Sequence, residues 1–555
     1  MDNYIDTSVI IVFSVFVLVI GMLFARTGKN MKAFFAGGEA VPWFIGGLSL
    51  FMSFFSAGTF VAWGSIAYKS GWVAITIQWT MAIGAFVTAF WLAPRWKKTG
   101  NLTAAEFIQQ RLGTTVQKVY VNIFLAVSVF QKGVVLYPVA KLVSVSLGFP
   151  LVPTTIILGV LMISYTAVGG LWAVMVTDIL QFVVLSAAVT ILLPLTLDAA
   201  GGFSNFIEKA PPHFFSLLSS EYNGWFIVAF TFYHILYIGG NWTFVQRFTS
   251  VDSAKSAKKV ALLFGALYLI SPVIWMLPPM LFQTINPLVS DPENAYLLVC
   301  KTILPAGLMG LMLTGMYFST SATANTTLNV ASAIFTNDIY KNLFRPDATD
   351  KRLMQVARLS SWALGTGMII IALLVPQIGG MVNVVISIAA ITAGPLFAPP
   401  VWALISKKLT GKSTLWITLV TLVANFLFIV LLPALFNYQL NKGWQMLFGI
   451  SMPLLLLAIN EWMIAKKDAA EYTAYTLVRH QKENKAIEET NNSTDEAKRQ
   501  NYFGLKVIAG ALVFTALLLF ILAFITTRGR SITNMVAVVV LLLAIVPWYF
   551  KNKFK

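Results

Sequence analysis

Fifteen stretches of this chain are apolar over roughly the length a helix needs to cross a bilayer, and that feature confines the fold more than any other. They run over 7–25, 42–68, 72–94, 117–146, 152–168, 171–196, 224–246, 258–284, 303–336, 353–376, 382–406, 414–433, 440–465, 503–526 and 533–551. A spanning helix takes about 20 mostly apolar residues. Lipid offers no partner to a backbone N–H or C=O, so a single apolar stretch crosses it as a helix. The expected fold is therefore an all-α integral membrane protein with about fifteen transmembrane helices. Composition agrees, since only 11% of the 555 residues are charged, against about a quarter in soluble domains. The first run, Thr7 to Ala25, lacks a basic leader and a small-residue cleavage site, so it is expected to be retained.

The loop charges test the number and direction of the segments. With the N-terminus outside, the loops that fall inside carry 29 of the 39 Lys and Arg, among them Arg26, Lys97, Arg247, Lys351 and Lys408. Six fall outside: Lys69, Lys209, Lys301, Lys442, Arg528 and Arg530. Positive-inside bias of this kind accounts for the net charge of +17 without nucleic acid. The expected location is the cell inner (plasma) membrane, with a periplasmic N-terminus and a cytoplasmic C-terminus. The lone cysteine, Cys300, excludes an internal disulfide, and three histidines make a poor metal site. Residues 466–502 form a charged, solvated cytoplasmic linker, partly helical, and 102–112 a short amphipathic helix on the inner surface. Gly411-Lys412-Ser413-Thr414 imitates the end of a phosphate loop, but Ser406 stands where the leading glycine belongs. With ATP removed as energy source, ion gradients remain.

Three segments carry polar residues at depth. Residues 53–59 read Ser-Phe-Phe-Ser-Ala-Gly-Thr and 237–243 read Tyr-Ile-Gly-Gly-Asn-Trp-Thr. Both look like broken helices, whose freed carbonyls transporters aim at ions; close packing by small residues is the other reading. The breaks lie five segments apart, which suggests two five-helix repeats. Residues 319–327 place seven hydroxyl or amide side chains on one helix, from Ser319 to Thr327. They either bond the preceding turn or line an oxygen-rich path for a hard cation. Lys132 sits in mid-segment, where a lysine costs at least ~2.5–3.5 kcal/mol to insert. It needs a counter-charge or a cavity.

The run 169–181, Gly-Gly-Leu-Trp-Ala-Val-Met-Val-Thr-Asp-Ile-Leu-Gln, resembles the signature of the sodium:solute symporter family. Phe34-Phe35-Ala36-Gly37-Gly38, Ser56-Ala57-Gly58-Thr59-Phe60, Gln246-Arg247 and the run Ile334 to Tyr340 resemble further family motifs, in the family's order. The resemblance implies a five-plus-five inverted-repeat (LeuT-like) core at 42–410, with repeats at 42–197 and 224–406. Around it stand an N-terminal extra helix (1–41), two additional helices (411–465), the linker (466–502) and two C-terminal helices (503–555). It implies alternating-access symport of a small polar solute (a sugar, polyol or sugar acid such as sialic acid) with Na+ as coupling ion, no other cofactor, no enzyme activity and no obligatory protein partner.

The same resemblance places sodium at Met52, Phe55, Ser319, Ala322 and Thr323, and solute at Thr59, Gln78, His234, Tyr237, Asn241 and Ser387; Ser56 at the break and the mid-segment Lys132 are added as candidate solute residues. Asp178 matches the acid on the inner sodium path. Relatives often carry two adjacent hydroxyls at 322 and 323; this chain keeps only that of Thr323. Lys132 lies beside a position that is arginine in some carboxylate-binding relatives. The rival readings are proton coupling through Asp178 or His234, an anionic-solute carrier of the same fold, and a transporter-derived sensor. A reporter fused after Lys555 should be active in its cytoplasmic form; activity only in the periplasm would overturn the orientation.

Overall fold

The structure is a computed structural model, and it describes residues 3–24, 41–101, 103–375, 381–436, 441–464, 467–489 and 493–551. The motif at 34–38 lies outside the described residues. Every regular element among them is helical; one isolated bridge joins Val41 to Val251. In chain order the helices are α1 (Asn3–Leu23), α2 (Trp43–Met52), α3 (Ala57–Ser70), α4 (Val73–Trp91), α5 (Ala93–Lys98), α6 (Ala104–Leu112), α7 (Thr114–Leu147), α8 (Leu151–Ala199) and α9 (Gly202–Lys209). They continue with α10 (Gly224–Gly240), α11 (Trp242–Thr249), α12 (Ala254–Ile285), α13 (Ala295–Ile303), α14 (Leu308–Ile334) and α15 (Asp350–Leu374). The rest are α16 (Met381–Ala403), α17 (Gly411–Phe426, carried on through a π-helical stretch to a short helix ending at Phe436), α18 (Lys442–Ile459), α19 (Ala470–Glu489), α20 (Ser493–Ile525), α21 (Arg530–Leu543) and α22 (Ile545–Phe550).

By length and hydropathy, 11 helices qualify as spans among the described residues. The pair α2 and α3, bent by 64° across residues 53–56, makes a twelfth. Fifteen is not reached by this measure, for a physical reason. Of the three remaining segments, Gly224–Gly240 gives an apolar helix too short to qualify, and 152–168 belongs to the long helix α8. The third, α14, is diluted by its hydroxyls, yet every one of its 27 residues is buried. It sees protein on all sides, so it needs no apolar surface for lipid.

Helix α8 is traced without interruption over 49 residues, about 73 Å if straight. It is not straight. The Tyr317 hydroxyl donates to the carbonyl of Leu158, while Gly315, two residues away, packs on Leu185. Twenty-seven residues of straight helix would hold those two points about 40 Å apart. The chain therefore doubles back between them, and α8 contributes two limbs, both against α14.

The inner wall is α14, packed on α8, α7, α15 and α1. Helix α1 caps it: Asp6 Oδ1 accepts from the N–H groups of Gly307 and Gly310 at 2.7 and 2.6 Å. That carboxylate sits at the positive end of the α14 dipole. The expected amphipathic helix is α6, opened by Thr103, whose hydroxyl accepts from Glu106 N at 3.0 Å. The linker corrects the expectation of a solvated segment in part. Its helix α19 packs on α6, with Tyr475 buried edge-on against Phe107 and Tyr472 under the guanidinium of Arg111.

Candidate functional site

Between α2 and α3 the backbone leaves the helical path at Ser53 and re-enters it after Ser56. The restart is capped locally, with Ser56 N–H donating to Thr59 Oγ1 at 3.2 Å. The carbonyls at the break turn instead toward α14. Thr323 Oγ1 lies 3.3 Å from the Met52 carbonyl oxygen and hydrogen-bonds that of Phe55. Thr320 Oγ1 accepts from Ala57 N at 2.8 Å, and Ser53 Oγ lies 2.9 Å from Thr326 Oγ1. Three oxygens thus converge from two elements, held together by one hydroxyl proton. The Ser319 hydroxyl, by contrast, bonds back to the Met316 carbonyl at 2.9 Å, and Ala322 is buried with no side-chain oxygen to offer.

Beside this point a cavity of about 160 Å³ opens. Of the eight residues expected to meet solute, Ser56, Thr59, Lys132, His234 and Tyr237 line it. Three do not. Gln78 is fully buried with neither amide atom partnered. Asn241 spends its side chain capping α11, accepting from Thr243 N at 2.9 Å. Ser387 is turned toward Gln445 on α18, at 3.4 Å. The second break is where the sequence placed it, and Asn241 alone separates α10 from α11. The sequence reading missed Gln131, Trp63, Tyr233 and Phe230 in the wall. Gln131 could have been inferred as the helical neighbour of Lys132; the aromatics carry no local signal that separates them from core.

His234 Nδ1 lies 2.8 Å from Thr80 Oγ1, which fixes the ring at the cavity edge. Lys132 differs from every other deeply placed cation: among the described residues it has no ion pair and no hydrogen bond. Asp178, its one obvious partner in the sequence, is taken. Its Oδ2 accepts from Ser49 at 2.5 Å and lies 3.7 Å from Arg247. Arg247 was counted with the inner loops, and here the expectation is corrected. It lies on α11, completely buried, and donates to Ser49 Oγ, Gln246 Oε1 and Thr326 Oγ1 at 2.9, 2.8 and 2.8 Å. A guanidinium can spread its charge over such a fork, which an ammonium cannot.

Comparison with known proteins adds to this geometry. A family model described as the sodium:solute symporter family matches residues 34–421. A sodium/glucose cotransporter of Vibrio parahaemolyticus is 25% identical over 504 residues, covering 83% of this chain and 92% of that protein. A sodium/sialic acid symporter of Proteus mirabilis is 25% identical over 374 residues, covering 64% and 75%. Among solved structures, a substrate-bound, outward-open Na+-coupled sialic acid symporter aligns with TM-score 0.72 at 20% identity, over 83% of this chain and 98% of that one. A nucleobase-cation-symport-1 family transporter in a closed conformation aligns with TM-score 0.51 at 15% identity, over 80% and 97%. At those identities the two structures speak for the fold.

The Asp178–Arg247 pair makes a prediction independent of activity. Arg247→Gln leaves a carboxylate buried without its partner and should cost about 3–5 kcal/mol. Adding Asp178→Asn should restore much of the loss in thermal melts of the purified protein. A double variant as unstable as the sum of the two singles would show that the pair is not coupled.

Proposed function

The chain belongs to the sodium:solute symporter family, and from that premise we propose that it imports a small polar solute bearing a carboxylate, together with sodium, by alternating access. The observation that carries the anionic part is Lys132, a cation in the cavity wall with no protein acid beside it. A solute carboxylate would supply the counter-charge, and neutral analogues would leave the ammonium desolvated. The hydroxyls of Ser56 and Thr59 and the ring of Tyr237 would hold the rest of a sugar-acid-sized solute. The similarity to a sodium/sialic acid symporter is consistent with such a solute. The similarity to sodium/glucose cotransporters keeps a neutral hexose as the outcome to test against.

Sodium would bind where the Met52 and Phe55 carbonyls meet Thr323 Oγ1. A hard cation there is held by neutral oxygens, so no buried net charge has to be created in its absence. The three oxygens belong to the broken helix and to α14, so any movement of one against the other opens or closes the ion site. Sodium then favours one state by differential affinity. In this reading the units 42–197 and 224–406 rock about the site, with α6 and α19 on the cytoplasmic side. Asp178 and Arg247 would lie on the inner route from the ion site.

Two substitutions test the assignment in proteoliposomes. Thr323→Ala removes the only side-chain oxygen of the proposed ion site and should raise the sodium concentration for half-maximal uptake about tenfold or more, on the scale of 1.4 kcal/mol for one lost ligand. An unchanged sodium dependence would move the sodium site elsewhere, whereas wild-type uptake that is indifferent to sodium and driven by a pH gradient would point to a proton on Asp178 or His234. Lys132→Gln keeps most of the volume and should weaken carboxylate uptake about tenfold or more. Uptake of a neutral sugar, unaffected by Lys132→Gln, would show the lysine to be structural.

A further inference from the structure

A second cavity, of about 470 Å³, lies at the end of the bundle that carries α5, α6 and α19. It stands apart from the transport cavity and shares no residue with it. Arg95 and Lys98 enter it from α5, and Arg479 enters from α19 on the opposite side. Among the described residues, no carboxylate lines it. Its rim is apolar where α4 and α16 end: Phe90, Trp91 and Ile405 are 59%, 62% and 55% exposed. Both helices are candidate spans, so this rim continues the lipid-facing surface up to the level where aromatic residues gather at a membrane interface. The opposite wall is anchored by Tyr472 under Arg111 and by Tyr475 against Phe107. That anchorage fixes the pitch of α19 and brings Arg479 over the cavity.

A ligand suited to this place carries a negative charge between three cations and hydrocarbon along the rim. Free phosphate satisfies the cations and leaves the rim unused. A zwitterionic headgroup brings its own ammonium into a space already positive. We propose that the cavity binds the phosphodiester headgroup of an anionic phospholipid, with its acyl chains against Phe90, Trp91 and Ile405, and that the bound lipid ties linker helix α19 to the transport core. The linker thereby becomes a lipid-dependent part of the fold.

The test uses the full chain in nanodiscs of phosphatidylcholine with or without phosphatidylglycerol, read by thermal melts and by native mass spectrometry of retained lipid. Wild type should melt higher with phosphatidylglycerol and retain at least one molecule of it per chain. Arg95→Gln/Lys98→Gln/Arg479→Gln should bind it on the order of 100-fold more weakly, given roughly tenfold or slightly less for each cation near a headgroup, and lose the added stability. Thr476→Glu places a carboxylate on the α19 wall while removing only a hydroxyl bonded to its own helix, at Thr473 O. It should act in the same direction, and it keeps the test decisive if the triple variant does not fold. Lys351→Gln/Lys407→Gln/Lys412→Gln removes three cations that do not line the cavity and should change neither readout. Retention of wild-type lipid binding by the Thr476→Glu or triple variant overturns the proposal, as does equal loss in the control. Equal stabilisation by soluble glycerol 3-phosphate also overturns it, by assigning the cavity to a soluble phosphate.

Discussion

Two backbone carbonyls at a helix break in the middle of a membrane protein have to be met by something, and at Met52 and Phe55 the Thr323 hydroxyl reaches both, with the Phe55 N–H also donating to the Met52 carbonyl at 3.3 Å. An unsatisfied amide group costs several kcal/mol where water is absent. The bend of 64° between α2 and α3 is thus tolerable only because α14 stands beside it with oxygens facing the break. The dependence runs both ways. Helix α14 carries hydroxyls that would be costly against lipid, and it is affordable only because α8, α7, α15 and α1 enclose it completely. Bend, hydroxyl stripe and burial form one constraint, and the cavity is the space left beside it.

Two deep cations have opposite fates in this frame. Arg247 is locked among Ser49, Gln246, Thr326 and Asp178, so that its charge is spent inside the protein. Lys132 reaches a cavity wall and is left without a partner among the described residues. Networks such as the first hold elements in register. An ammonium such as the second is tolerated where a cavity admits water or a solute to solvate it. The contrast separates structure from function more sharply than burial does, because both residues lie deep.

How much was legible in the chain follows the range of each signal. Hydropathy shows where helices run, and the small polar runs at 53–59 and 237–243 show where they break, because both signals are local. The convergence of Met52, Phe55 and Thr323 was legible only through the family resemblance. Side-chain direction was not legible. Gln78, Asn241 and Ser387 lie near the cavity along the chain, yet none lines it: Asn241 caps α11, Ser387 faces Gln445, and Gln78 is buried with its amide unpartnered. Arg247 looked like a loop cation because it follows an apolar run; its burial depends on Asp178, sixty-nine positions earlier. The docking of α19 was hidden for the same reason, since Tyr472 and Tyr475 read as minor apolar interruptions of a charged stretch until Phe107 and Arg111 are placed beneath them.

The carboxylate of Asp6 has a consequence for biogenesis. It lies in α1, yet the amides it caps, at Gly307 and Gly310, are made about 300 residues later. At typical elongation rates of about 5–20 residues per second, that interval lasts tens of seconds. Throughout it the nascent helix must keep an aspartate at the membrane surface, one turn from a hydrocarbon-bound stretch, with only water or the insertion machinery to solvate it. Helix α1 can therefore take its final depth no earlier than the arrival of α14, and its packing is completed later still, when Phe503 and Phe514 of α20 come to lie against Phe24 and Phe16.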